Sequence, residues 1–210
     1  MTGIIDYGMG NIHSVQKALE SLGDKTIVTN NPEELRKCEK IVLPGVGAFA
    51  DAMKELEKQG LVLAVIDAIK NKKIFLGICL GMQLLFESSR ESKGAKGLGV
   101  LKGEVKKFIP GKGLKVPHMG WNQLNKVISD KAPGVTECPL LKGLPENSYV
   151  YFCHSYYPDP KYKEIVSATT DYGIKFTSVV WQDNIFGMQF HPEKSQAVGL
   201  RILKNFVELC

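Results

Sequence analysis

The sequence predicts an α/β fold in which a mixed, mostly parallel sheet is covered by helices on both faces and extended by antiparallel strands in the second half. Three observations lead there. From Gly3 to Phe86, short apolar runs alternate with stretches whose apolar residues recur at helical spacing, as in a parallel sheet wrapped by crossover helices. After Leu98 the chain changes to short alternating or apolar runs separated by turns. With 210 residues and 44% hydrophobic content the chain can bury one substantial core. Nothing reads as a linker, internal repeat or low-complexity segment, so a single domain over 1–210 is expected.

Taken in order, Gly3-Ile4-Ile5 is a short strand. Ile12, Val15, Leu19 and Leu22 then mark one face of a helix that Gly23 ends. Thr26-Ile27-Val28 is a second strand, followed by Asn31 as N-cap with Pro32 at the first helical position. A third strand, Ile41–Leu43, precedes helical stretches through Ala50–Glu57 and Leu61–Ile69, and a fourth runs from Lys73 into Cys79. In the second half, 104–109, 148–152 and 178–181 read as strands. Gln182-Asp183-Asn184 turns the last of these into 185–190, and a final helix has Ser195 as N-cap with Val198, Ile202, Leu203, Phe206 and Val207 on one face. Gly8-Met9-Gly10 is not a dinucleotide fingerprint, because His13 stands where the third glycine is required.

The chemistry concentrates at Cys79. Its strand enters a helical pattern across Gly77-Ile78-Cys79-Leu80-Gly81, and glycines two residues to either side permit the strained turn of a nucleophile elbow. A helix N-terminus behind the sulfur favours the thiolate. A buried core cysteine is the alternative, but packing alone does not call for both glycines. His191, followed by Pro192 and Glu193, ends an apolar strand and supplies a base with an orienting carboxylate, so nucleophile, base and orienter follow in the order Cys79, His191, Glu193. Pro44-Gly45-Val46-Gly47 follows a buried-type strand and can present bare amides to an oxyanion, as the Leu80 amide can from the elbow. His13 reads as an exposed or capping residue, and His118 and His154 as hydrogen-bonded structural histidines.

Composition excludes several other classes. A net charge of +5 from 27 basic and 22 acidic residues is mild, and Lys102, Lys106, Lys107, Lys112 and Lys115 read as a solvated strand face rather than a nucleic-acid surface, with Phe108 the only aromatic nearby. The five cysteines, at 38, 79, 138, 153 and 210, are odd in number and lack metal-ligand spacing, so neither a disulfide framework nor a metal site is expected. Cys153 reads as packing, and Cys38 and Cys210 as polar or terminal positions without a partner. No charged-then-apolar leader precedes Ile4 and no apolar run approaches the roughly 18 residues of a membrane span, so a cytoplasmic enzyme with a reduced thiol is expected.

Gly77-Ile78-Cys79-Leu80-Gly81-Met82-Gln83 and His191-Pro192-Glu193 together resemble the signature of the class I (triad) glutamine amidotransferases, which hydrolyse glutamine and pass ammonia to a synthase. Ile5-Asp6-Tyr7-Gly8-Met9-Gly10-Asn11, Leu43–Phe49, Pro117-His118-Met119-Gly120-Trp121-Asn122, His154-Ser155-Tyr156 and His191–Ser195 are similar to one group within that family, the glutaminase subunits that serve histidine biosynthesis. The likeness spans nearly the whole chain without departure at a triad position. It implies L-glutamine as substrate and no cofactor. It assigns the oxyanion to the Leu80 amide with the Val46 and Gly47 loop, and substrate binding to Gly45, Gln83, Ser155 and Tyr156. The chain is too short to carry a synthase as well, so the resemblance implies a heterodimer with a separate (β/α)8-barrel cyclase, with Trp121 and Lys194 facing it. On the residues alone, Gln83 could be an exposed helix position and Trp121 a core residue. A glutaminase serving another synthase and a non-catalytic binding module are the competing readings.

Overall fold

The computed structural model describes residues 1–111, 114–128 and 137–209. Its first half alternates as expected: β1 (Thr2–Ile5), α1 (Ile12–Ser21), β2 (Thr26–Thr29), α2 (Pro32–Lys37), β3 (Lys40–Gly45), α3 (Phe49–Lys58), α4 (Leu61–Lys70), β4 (Ile74–Cys79) and α5 (Leu80–Leu84). Asn31 caps α2 as its sequence predicts, its side chain accepting from the Glu33 amide at 2.9 Å. The second half contributes β5 (Ser88–Ser89), β6 (Gly103–Lys107), β7 (His118–Gln123), β8 (Asn125–Lys126), β9 (Tyr149–His154), β10 (Tyr156–Pro160), β11 (Val166–Asp171), β12 (Lys175–Gln182) and β13 (Ile185–Met188), before α6 (Gln196–Glu208).

The main sheet runs β2-β1-β3-β4-β13-β12-β11-β8, parallel from β2 through β13 and antiparallel beyond. This is the mostly parallel sheet with added antiparallel strands that the sequence predicts. Smaller sheets join β10-β6-β5 and β7-β9. One core packs α3 and α4 with Leu35 of α2 against one face, through Phe49, Leu56, Leu61 and Val65. The other packs α1 and α6 through Val15, Leu19, Ile202, Leu203 and Phe206. Both faces of a parallel sheet must be covered in this way, since its strands are apolar on both sides.

Several expectations change. The strand expected over 104–109 ends at Lys107, leaving Ile109 exposed, and β13 ends at Met188 rather than Phe190. Ser195 stands at the N-terminus of α6, but its hydroxyl caps nothing; it donates to the His191 carbonyl at 2.7 Å and accepts from the Tyr151 amide at 2.9 Å. Cys38 is buried rather than polar, and its thiol donates to the Glu34 carbonyl at 3.4 Å. Of the lysine face, Lys106 pairs with Asp159 at 2.6 Å and Lys102 with Glu87 at 3.0 Å, while Lys112 lies outside the described residues, as does Cys210. No helix among the described residues is long and apolar enough to cross a membrane.

Candidate active site

The sheet order decides the site. β3 and β13 flank β4, and the register sets Gly45 beside Cys79 and Gly187 beside Gly77. The glycine loop after β3 and the segment after β13 therefore arrive on either side of the sulfur, at the carboxyl ends of parallel strands. Cys79 itself has φ 54° and ψ −110°, a conformation that costs a non-glycine residue roughly 1–3 kcal/mol and marks the elbow. Its flanking glycines are required by contact: a Cβ on Gly81 would lie 1.8 Å from the Leu43 carbonyl oxygen, and one on Gly77 would lie 2.7 Å from that of Gly81. The helix behind the sulfur spans only Leu80–Leu84, so the local Leu80 amide matters more than any long dipole.

His191 Nδ1 donates to Glu193 Oε1 at 2.9 Å, which directs its other ring nitrogen to the Cys79 sulfur. The side chains of His191 and Glu193 are 4% and 1% exposed. Burial works against charging the imidazole, but the hydrogen bonds to Cys79 and Glu193 and their negative charge prevail and push His191 up to about 10. The ring is therefore poised as an imidazolium beside the sulfur. Its backbone is pinned on both sides, since the His191 amide donates to the Tyr151 carbonyl at 2.9 Å and the His191 carbonyl accepts from the Ser195 hydroxyl at 2.7 Å.

A cavity of about 340 Å³ opens over Cys79, lined among others by Val46, Gly47, Leu80, Gln83, Ser155, Tyr156, His191 and Lys194. Most candidate site residues thus share one pocket. Gly45 does not line it; it lies behind, where a Cβ would meet the Tyr7 hydroxyl at 2.5 Å. Gln83 is buried rather than an exposed helix position, its Nε2 donating to the Tyr156 carbonyl and to Gln189 Oε1, both at 3.0 Å. Lys194 is exposed at the pocket rim, on a 3-10 turn (Pro192–Lys194) that ends before α6 begins, so it does not stand at the start of an α-helix. Trp121 is outside the pocket and 45% exposed, its ring edge against Tyr151.

Three residues of the site escaped the sequence reading. Gln189 Nε2 donates to the Cys79 sulfur at 3.6 Å; its place two residues before His191, on the same face of an extended segment, was the available signal. Asn11 Nδ2 donates to Glu193 Oε1 at 3.3 Å, whereas Glu193 Oε2 is buried without a partner. Glu91 lines the pocket from a loop without any pattern and accepts from the Phe49 amide at 2.7 Å.

His118 and His154 are buried and hydrogen-bonded to each other at 3.1 Å. Burial drives His154 down to about 3 and His118 to about 4, below the ordinary 6.5. A depressed value means that the unfolded chain binds more protons below pH 6.5, so this contribution is full above that pH and is lost progressively as pH falls from 6.5 toward the folded values. Between pH 7 and 5 each of the two histidines is expected to remove about 2 kcal/mol of stability. Urea unfolding at the two pH values should show that loss in the wild type and a correspondingly smaller one in His154→Leu; equal losses would contradict it.

A model of the class-I glutamine amidotransferase domain matches residues 3–210. The chain belongs to the class-I glutamine amidotransferases. Among curated relatives of this amidotransferase, imidazole glycerol phosphate synthase subunit HisH of Methanocaldococcus jannaschii is 51% identical over 209 residues, covering 100% of both chains. The subunit of that name in Geobacter sulfurreducens is 49% identical, over 98% of this chain and 97% of the relative. Solved structures agree on the fold: a glutamine amidotransferase matches at TM-score 0.70 with 18% identity, over 98% of this chain and 97% of that one. A chain of the Thermotoga maritima PurLQS structure matches at 0.69 with 20% identity, over 98% and 94%.

Proposed function

We propose that this amidotransferase is the glutaminase subunit of an imidazole glycerol phosphate synthase, working in the cytoplasm as a heterodimer with a (β/α)8-barrel cyclase of histidine biosynthesis. The observation that carries the reading is the Cys79–His191–Glu193 alignment at the floor of a pocket, in a chain alike from end to end to subunits of that name. The Cys79 thiolate attacks the carboxamide carbon of glutamine, and the oxyanion forms against the Leu80 amide and an amide of the Val46-Gly47 loop. His191 gives its proton to the departing ammonia, then takes one from the water that hydrolyses the thioester to glutamate. Glu193 holds the imidazole throughout, and Gln189 supports the thiolate. Gln83 and the Ser155–Tyr156 segment line the substrate's amino-acid end, and Glu91, the one carboxylate among the described lining residues, suits its ammonium.

Val46 is exposed and Gly47 has φ 98°, so a peptide plane of this loop can turn at small steric cost. The isolated chain is accordingly expected to hydrolyse glutamine slowly, and addition of the cyclase with its substrate to accelerate it. Exposed Trp121, Met119 and Tyr149 together with Lys194 suit the docking face. Trp121→Ala or Lys194→Ala should weaken the complex by about 1–2 kcal/mol, or lower ammonia transfer relative to glutamate release. Titration against the cyclase, with glutamate and imidazole product followed separately, tests both points. Equal turnover with and without cyclase would remove the gating, and wild-type affinity and transfer in both variants would place the interface elsewhere.

A further inference from the structure

Beneath the pocket, the β7–β9 ribbon buries two histidines whose partners leave no choice of hydrogen-bond direction. Asn122 Oδ1 accepts from the Gln123 amide at 2.8 Å, and Nδ2 donates to the Asp171 carbonyl at 2.9 Å, so two partners other than His118 orient this amide. Nδ2 also lies 3.2 Å from His118 Nε2, which must then accept. A neutral imidazole accepting at Nε2 carries its proton on Nδ1, and His118 Nδ1 faces His154 Nε2. The other end requires the same direction. The Tyr156 carbonyl, 2.8 Å from His154 Nδ1, can only accept, so His154 is protonated at Nδ1 and accepts at Nε2. Donor meets acceptor in the middle, and an added proton on either ring would break the chain. The surroundings oppose that proton: Phe152 and Tyr172 stack on His118, Phe108 and Phe176 flank His154, and the charges that His154 feels, His118 and His191, are both cationic when protonated.

Two phenylalanines would fit such a nest without the cost of desolvating imidazoles. What the histidines add is a donor aimed at the Tyr156 carbonyl. That oxygen also accepts Gln83 Nε2, Gln83 continues to Gln189, and Gln189 reaches the Cys79 sulfur. His154 edges the pocket, yet both its nitrogens are engaged inside the protein, which leaves none for a ligand. We propose that His118 and His154 are a positioning pair for the amidotransferase reaction: His118 orients His154, and His154 holds the Tyr156 carbonyl, and with it Ser155, Tyr156 and Gln83, in the geometry that binds glutamine. This rests on the glutaminase reading above.

The test uses the complex with cyclase and its substrate, and compares His154→Leu with His154→Asn, whose amide nitrogen can stand where Nδ1 does. His154→Leu should raise the KM for glutamine about tenfold with kcat within about twofold, the effect of one lost hydrogen bond on binding, and His154→Asn should restore KM to within about threefold of wild type. A purely structural role would move both variants alike. Equal KM values in the two variants, or an unchanged KM in His154→Leu, would overturn the proposal. If His154→Leu does not fold, His118→Leu, which leaves His154 unoriented, carries the same expectation and the same refutation. Failure of the wild-type complex to release glutamate from glutamine would instead defeat the glutaminase reading itself.

Discussion

Cys79→Ala is expected to lower glutamine hydrolysis by about 10⁴-fold or more while leaving the fold intact, because members of a nucleophilic triad act as a unit. The side chain removed is small and the strained backbone is held by its neighbours, so stability should change little. Glutamate release by the complex measures the loss, and the same complex supplied with free ammonium should still feed the cyclase. His191→Ala should be nearly as damaging, since in the proposed reaction the imidazole carries the proton in both halves. Glu193→Ala should cost less, as Glu193 in the proposed reaction orients without reacting and Asn11 remains nearby. Retained glutaminase activity in Cys79→Ala would show that another nucleophile performs the attack.

Gly81→Ala should have the largest effect on folding. The added Cβ would meet the Leu43 carbonyl at 1.8 Å, backbone against backbone, in the strand beside the elbow. No side-chain rearrangement relieves that contact, so β3 and α5 must separate. A loss above about 4 kcal/mol, or failure to fold, is expected. Gly23→Ala is the control: Gly23 has φ 85° with nothing near its Cβ position, so only backbone strain of roughly 1–2 kcal/mol applies. Thermal unfolding of the two variants side by side decides the matter. Similar shifts would mean that the elbow can widen.

The strands and helices that were legible are those whose burial imposes a period on the sequence. Val15 and Leu19 of α1 and Ile202, Leu203 and Phe206 of α6 face the same core and recur at helical spacing. β10 was illegible for the opposite reason. Tyr156-Tyr157-Pro158-Asp159-Pro160 carries two prolines, which a sheet tolerates here because β10 is the edge strand of its small sheet. β5 and β8, with two residues each, are too short to show any alternation.

The chemical inventory is written in short local stretches of the chain. Cysteine between two glycines, His-Pro-Glu before the last helix and a glycine loop after a buried strand are local patterns, each set by what a turn or strand end demands of its own few residues. Which of these parts meet depends on how the strands assemble. The β3-β4-β13 order brings residues 45–47, 79 and 191 together across more than 100 positions of chain, and no local rule encodes strand order. The same is true of Gln189 under the sulfur, Asn11 against Glu193, Glu91 in the pocket and the direction of the His118–His154 pair. Each depends on a polar atom finding its partner in another segment of the chain, and that pairing is fixed by packing and by the cost of leaving a buried polar group unpaired.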